Sequence, residues 1–386
     1  MMHRRHFIKL GGLAAAAGVV RPSVTRTGEQ ENSDAASTTV RFDTDGLGLT
    51  PREYSSMLKE MALDGKINPD YYSLGGSIEE LERQFARLLG KESAVFMPTG
   101  TLANQIALRK LAGENKRVLI QAESHVYNDS GDCAEVLSGL NLIPLAQGKA
   151  TFTLDEVKQW VQRSSGGRVE VKVGVISIES PVRRIHHEMF DFEEMKGICA
   201  YARENNIKLH LDGARLFNMP YHSGKQIIDY TSLFDTVYVS LWKCFNAASG
   251  AVLAGSKQFT GGLFHLRRMF GGSLPQSWPC AAVAARYADG YLGEYSKAWE
   301  SADRFFSLLQ ENDRFKVEKN INGTSIVKMV VKGIDPDKFA ARLLSKGIVL
   351  PHPEKETGVF WLTVNTTLNR VKPNYLSASY IGALNS

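Results

Sequence analysis

Cysteine is scarce in this chain. Four in 386 residues, at positions 133, 199, 244 and 280, exclude a disulfide-stapled scaffold, and their scatter offers no metal-ligand spacing. Long apolar runs of membrane type are missing too, so a polytopic membrane protein is excluded. The body shows no internal repeat and no low-complexity tract. A surplus of one charge is missing from most of the chain. Lysine and arginine number 46 against 41 acids, a net of +5, but residues 1–27 hold Arg4, Arg5, Lys9, Arg21 and Arg26 and no acid. The remainder balances at 41 against 41. A nucleic-acid binder carries its positive charge on the folded domain, so that class is set aside. What is present is ordinary: 43% apolar and 23% charged residues, enough for one large or two moderate domains with a sizeable core.

The charge at the start has its own pattern. His3-Arg4-Arg5-His6-Phe7-Ile8-Lys9 precedes the uncharged run Leu10 to Val20, then Arg21-Pro22. Eleven residues are too few for a span of about 20, and suit the core of a signal peptide. The arginine pair followed by Phe-Ile-Lys resembles a twin-arginine export signal, with His3 where Ser or Thr is usual. Residues 28–38 are small, polar and acidic and read as a linker. The expectation is therefore a signal and linker over 1–38, with the twin-arginine machinery as a partner and a periplasmic or exported location. A cytoplasmic protein is the alternative.

From about residue 71, helical patterns alternate with short apolar runs. Ser77-Ile78-Glu79-Glu80 reads as a capping box, and Ile78, Leu81, Phe85 and Leu88 as one helical face. Strand-like runs follow at Ser93–Met97, Val118–Ile120, Leu142–Leu145, Val173–Ile178, Ile207–Leu211, Thr236–Ser240 and Ala251–Ala254. Helical stretches such as Leu154–Val161 and Phe192–Arg203 lie between them. This alternation predicts an α/β fold, a mostly parallel sheet covered by helices on both faces. After about 290 the order becomes helix (Trp299–Leu309), strand (Ser325–Val331), helix (Pro336–Ser345), strand (Phe360–Val364), a smaller α+β domain. The expected division is 39–290 and 291–386.

Ligands in open α/β sheets sit at the carboxyl ends of strands. Four such ends carry chemistry. Thr99-Gly100-Thr101 closes one strand and opens a helix, which places N–H groups and a hydroxyl for a phosphate. His125 follows Val118–Gln121, Asp212 ends Ile207–Leu211, and Lys243 lies 31 residues later, after the next strand. In this order the four resemble the fold-type I pyridoxal-phosphate enzymes. A lysine amine holds the aldehyde, a carboxylate keeps the pyridine nitrogen protonated, a planar side chain covers the ring and a helix N-terminus takes the phosphate.

Local strings narrow the resemblance. Pro98-Thr99-Gly100-Thr101-Leu102-Ala103-Asn104 and His210-Leu211-Asp212-Gly213-Ala214-Arg215-Leu216-Phe217-Asn218 are similar to the threonine aldolases of the β-eliminating lyase group. Arg41-Phe42-Asp43-Thr44, Ile178-Glu179-Ser180 and Gly271-Gly272 add to it, over roughly residues 40–365. The resemblance implies pyridoxal 5'-phosphate held by Lys243, Asp212, His125, Gly100 and Thr101. It places Arg268 near the phosphate and Arg215 against the carboxylate of an amino acid substrate. It implies cleavage of the Cα–Cβ bond of a β-hydroxy-α-amino acid to glycine and an aldehyde, with Lys243 and His125 as catalytic residues. A homodimer or homotetramer, with its active site at a subunit interface, is implied as well.

The departures fall on the substrate side. Phe42 stands where the family has a serine, and Trp361 where it has a second carboxylate-binding arginine. The residues around Lys243 are Trp242, Cys244, Phe245 and Asn246 in place of Ser-Lys-Gly-Leu-Gly. Arg168–Val175 lacks the family's histidine, and Ser180 replaces an asparagine. Such a pocket is more apolar and weaker toward a free α-carboxylate. His186-His187-Glu188 only superficially looks like a zinc string and falls in an expected loop, so no metal is expected. The base that takes the hydroxyl proton is open between His125 and an ordered water. Also open are transamination, racemisation or β-elimination of another amine, and a non-catalytic binding role.

Overall fold

Seven runs of β-branched and small apolar residues form the central sheet of the computed structural model, which describes residues 38–385. The expected export signal and the linker before Thr38 lie outside the described residues. With Val40–Arg41 as β1, the seven strands are β2 (Ser93–Met97), β3 (Arg117–Gln121), β4 (Asn141–Leu145), β5 (Val173–Glu179), β6 (Lys208–Asp212), β7 (Thr236–Ser240) and β8 (Ala251–Gly255). Their spatial order is β2-β8-β7-β6-β5-β3-β4. β8 is antiparallel to both neighbours and every other pairing is parallel, so β2 to β7 all end at the same edge. β5, β7 and β8 are buried along their whole length, which continuous apolar runs with helices on both faces require.

Leu102, Ala103, Ile106 and Ala107 of the helix Gly100–Ala112 pack with Met97, Tyr238, Ala251 and Leu253, holding the helix N-terminus beside the ends of β2 and β7. The chain after residue 290 adds β9 (Phe315–Lys319), β10 (Ile326–Val331), β11 (Ile348–Val349) and β12 (Phe360–Thr363). An antiparallel sheet of order β12-β10-β9 forms from three of them. Phe305, Phe315, Phe339, Phe360 and Tyr380 fill the space under it. β1 pairs in parallel with β11. The Phe42 N–H donates to Val349 O at 2.8 Å, and the Thr363 N–H donates to Phe42 O at 2.8 Å. Residues 40–42, the start of the expected large domain, are thus stitched to the end of the chain.

Two expectations are corrected locally. The helix after residue 75 runs Gly76–Leu88 with Gly75 as its cap, and Ser77 makes no capping bond. Gly75 and Gly76 both have positive φ, so the helix starts earlier and Ser77 falls inside its first turn. Ser77 Oγ and Glu80 Oε1 instead accept from the backbone and side chain of Asn68, at 3.0 and 2.9 Å. Capping boxes do form at Thr50/Glu53 and Thr153/Glu156. The helix expected over Trp299–Leu309 begins at Tyr291, because Tyr291, Tyr295 and Ala298 extend the buried face by two turns. β9 gave no apolar run to recognise: it alternates Phe315 and Val317 with Lys316 and Glu318 on a half-exposed sheet.

Candidate active site

The shared strand edge gathers the polar ends of β3, β5, β6 and β7 and the turn that follows β2. β6 finishes in Asp212, which is 2% exposed. Gly213 then turns the chain, its N–H donating to Tyr238 O at 2.9 Å where a Cβ would crowd Leu216 and that carbonyl. Asp212 Oδ2 accepts from Asn104 Nδ2 at 2.6 Å, and Oδ1 from the Ala214 N–H at 3.2 Å. A carboxylate only accepts, so the Asn104 amide nitrogen faces Asp212 and its oxygen faces His210 Nε2 at 2.9 Å. Burial pushes the His210 imidazole down to about 4, so the ring is neutral. Its Nε2 carries the proton, and its Nδ1 accepts from Thr236 Oγ1 at 2.8 Å. The chain Thr236–His210–Asn104 thereby fixes Asp212 in place.

His125 opens a short turn of helix after β3, capped by Ser124. Its N–H donates to Glu179 Oε2 at 2.5 Å, and the Arg183 N–H donates to Oε1 at 2.9 Å. Burial and the nearby Asp212 charge raise the Glu179 carboxyl, while those two N–H donors oppose the rise. The His125 ring lies half-buried, with Nδ1 3.7 Å from Asp129 Oδ2. Arg183 and Arg184 clamp Asp129 in turn, at 3.0 and 2.8 Å. Burial lowers the His125 imidazole, with Lys243 and Arg183 assisting and Asp212 and Asp129 resisting.

Lys243 sits in the loop between β7 and β8. The Leu241 N–H donates to Gly250 O and the Ala247 N–H to Leu241 O, so the loop closes on itself. Burial lowers the Lys243 ammonium to about 8, assisted by the Arg215 charge and opposed by Asp45, Asp212 and Glu179. An amine near that value is available as a nucleophile at neutral pH. The Arg215 guanidinium is engaged within the protein. Its Nε and Nη2 donate to Asp45 Oδ1 and Oδ2 at 2.6 and 2.8 Å. Burial alone would raise the Asp45 carboxyl, but the Arg215 charge and hydrogen bond hold it well below the usual range.

His187 borders these groups, and His186 precedes it in sequence. His187 is buried, its Nδ1 2.7 Å from Ser325 Oγ. Burial and the Arg215 charge keep its ring neutral, and Asp45 and Lys243 also act on it. His186 stacks on Trp361, centroids 3.6 Å apart and planes 13° apart.

The structure therefore brings Asp212, His125 and Arg215 into electrostatic range of Lys243, and sets Gly100 and Thr101 as the first two residues of their helix. Arg268 is not among them: it is exposed and lies 4.9 Å over the Tyr72 ring. Its neighbour Arg267 is fully buried and donates to the carbonyls of Phe96, Tyr72 and Ser73, a structural role. Sequence reasoning assigned no role to Asn104, His210, Glu179, Asp45 or His187. The first three lie inside the strings already quoted, so the signal was at hand. Asp45 and His187 carried no local signal, because their partners are more than 100 residues away.

Pyridoxal phosphate, the cofactor expected from the sequence, fits these residues. It needs an amine, an acid facing the ring nitrogen and unobstructed N–H donors for the phosphate. Lys243 and Asp212 supply the first two. At Gly100 an added Cβ would lie 1.9 Å from Tyr238 Oη, so only glycine allows close approach there. The Gly100 and Thr101 N–H groups have no intrahelical acceptor and remain available to an anion.

Fold and site together define the class, an α/β protein of fold-type I architecture whose residues fit pyridoxal phosphate. The chain belongs to the beta-eliminating lyase family, whose model matches residues 52–331. It is 31% identical over 229 residues to a low specificity L-threonine aldolase of Saccharomyces cerevisiae, covering 59% of this chain and 58% of that protein. A solved structure from Listeria monocytogenes EGD-E, described as a candidate L-allo-threonine aldolase, is 27% identical. Its TM-score is 0.74, covering 90% of this chain and 96% of that one. A serine palmitoyltransferase of S. paucimobilis with bound PLP shares the fold alone, at 15% identity and TM-score 0.62, covering 89% of this chain and 88% of that one.

Proposed function

We propose that this protein is a threonine-aldolase-like lyase that cleaves the Cα–Cβ bond of a β-hydroxy-α-amino acid unit. The products are an aldehyde and glycine or a glycine derivative. The observation that carries this reading is the convergence of the Lys243 amine, the braced Asp212 and the Gly100 helix terminus on one sheet edge. Support comes from the relatives named as threonine aldolases.

When bound, pyridoxal phosphate supplies an electron sink for the pair left on Cα. Lys243 would hold it through the amine, Gly100 and Thr101 through the phosphate, and Asp212 by keeping the proton on the ring nitrogen. His125 would cover the ring face. Cleavage requires that the β-hydroxyl lose its proton as C–O becomes C=O, and that Cα gain one afterwards. His125 is suited to both transfers: its depressed pKa leaves it able to accept at neutral pH, and Asp129 stabilises the charged ring. Arg183 and Arg184 keep Asp129 ionised and in position.

The test is incubation of cofactor-loaded protein with threonine, allo-threonine, phenylserine and their amides, following aldehyde and amine products. Aldehyde formation that disappears in Lys243→Ala is the expected result. Amino-group transfer without aldehyde, or no turnover of any β-hydroxy amine, would overturn the reading.

A further inference from the structure

A free amino acid brings a carboxylate to within one bond of the carbon that carries its amine. A substrate amine that takes the place of the Lys243 amine therefore brings that carboxylate beside the lysine, where a cation would neutralise it. The charged groups acting on the Lys243 ammonium are Arg215, Asp45, Asp212 and Glu179, three acids and one base. The base is already taken. Asp45 holds both Nε and Nη2 of Arg215 in the two-pronged geometry that an incoming carboxylate would use, and both side chains are about nine-tenths buried.

Asp45 is also anchored from both sides. Asn365 Nδ2 donates to Thr44 O at 2.8 Å, and the Leu47 N–H donates to Asn246 Oδ1 at 2.7 Å. Gly46, between them, lies so close to the Lys243 loop that an added Cβ would meet Lys243 O at 2.5 Å. Withdrawing the backbone that carries Asp45 would break both of those hydrogen bonds. Among the described residues, the two positions where the resembled family binds a carboxylate, Phe42 and Trp361, carry no cation, and neither does His187. Phe42 is fully buried against Phe305 and Tyr380, Trp361 is stacked on His186, and burial keeps His187 neutral. A substrate carboxylate here would face the Asp45 carboxylate across a buried, already neutralised pair.

We propose that the subsite beside Lys243 selects amines whose α-substituent is uncharged, such as the amide, ester or alcohol counterparts of β-hydroxy amino acids, because Asp45 fills the Arg215 fork from within. This rests on the reading of Lys243 as the amine that carries the cofactor. Asp45 is then a specificity-determining residue that excludes the free acid, and the remaining Arg215 Nη1 hydrogens meet a neutral polar group.

The experiment is a spectroscopic titration of the holoenzyme with threonine and threonine amide, which match in shape and differ in charge. In the wild type the amide binds at least tenfold more tightly than the acid. In Asp45→Asn the acid gains tenfold or more while the amide changes less than threefold. Equal or tighter binding of the acid by the wild-type protein overturns the proposal, and that measurement does not depend on the variant folding. So does an acid-to-amide ratio left unchanged by Asp45→Asn in folded protein. If no amine perturbs the spectrum, the cofactor reading itself fails and takes this one with it, an outcome distinct from wrong-way selectivity.

Discussion

A lysine whose ammonium is lowered by burial costs the cofactor-free protein stability, and the sign of that cost can be worked out. Between about 8 and the ordinary lysine value, an unfolded Lys243 binds more protons than the folded one. Folding stability contributed by this residue therefore rises with pH across that window. Replacing Lys243 with Met, which removes the charge, is expected to stabilise the cofactor-free protein by about 1–3 kcal/mol at pH 7. The advantage shrinks toward pH 10, and urea unfolding of both proteins at the two pH values measures it. Asn104 allows a second test. Asn104→Ala leaves His210 Nε2 and Asp212 Oδ2 without their partner and should cost about 1–3 kcal/mol, with cofactor affinity reduced roughly tenfold or more. Cofactor titration by absorbance reads the second effect independently of the first.

At the level of elements, the strands of the central sheet are legible because both of their faces are buried. Val173–Ile178 and Thr236–Ser240 can be read as strands from composition alone, and the polar residue that ends each run marks the functional edge. Lys243 and Asp212 follow from that logic. β9, half-exposed and carrying charge at alternate positions, gives no such contrast. The Ser77 motif misleads because two glycines with positive φ set the helix start, a backbone choice that side-chain patterns do not encode. The pairing of Asp45 with Arg215 is illegible for another reason: it spans 170 residues, and no local pattern marks it. Gly100 is the element-scale test of the phosphate cradle. Gly100→Ala drives a methyl into Tyr238 Oη and is expected to cost about 1–3 kcal/mol, and more than tenfold in cofactor affinity. Thermal unfolding and cofactor titration check the two parts.

For the whole molecule, the charge distribution separates a basic start from a balanced body. We propose that the first residues direct export of the folded protein, which could then carry a cofactor acquired in the cytoplasm. Replacement of Arg4 and Arg5 by lysine is expected to leave the protein in the cytoplasm, and cell fractionation decides the matter. We also propose a homodimer or homotetramer. Tyr71, Leu74, Met269 and Leu274 are exposed on two adjoining segments, joined where the Tyr72 N–H donates to Pro275 O. Light scattering at micromolar concentration distinguishes these assemblies from a monomer.

The pairing of β1 with β11 bears on the order of events during synthesis. Val40 and Phe42 emerge early from the ribosome, yet the backbone partners they bind lie at residues 347, 349 and 363. Until those residues have been made, the segment leading to Asp45 lacks its strand partner and is held only from its other side, where Leu47 meets Asn246. A chain stalled before β11 therefore holds the segment around Asp45 from one side only. Synthesis of β11 and β12 is what fixes residues 40–42 in place.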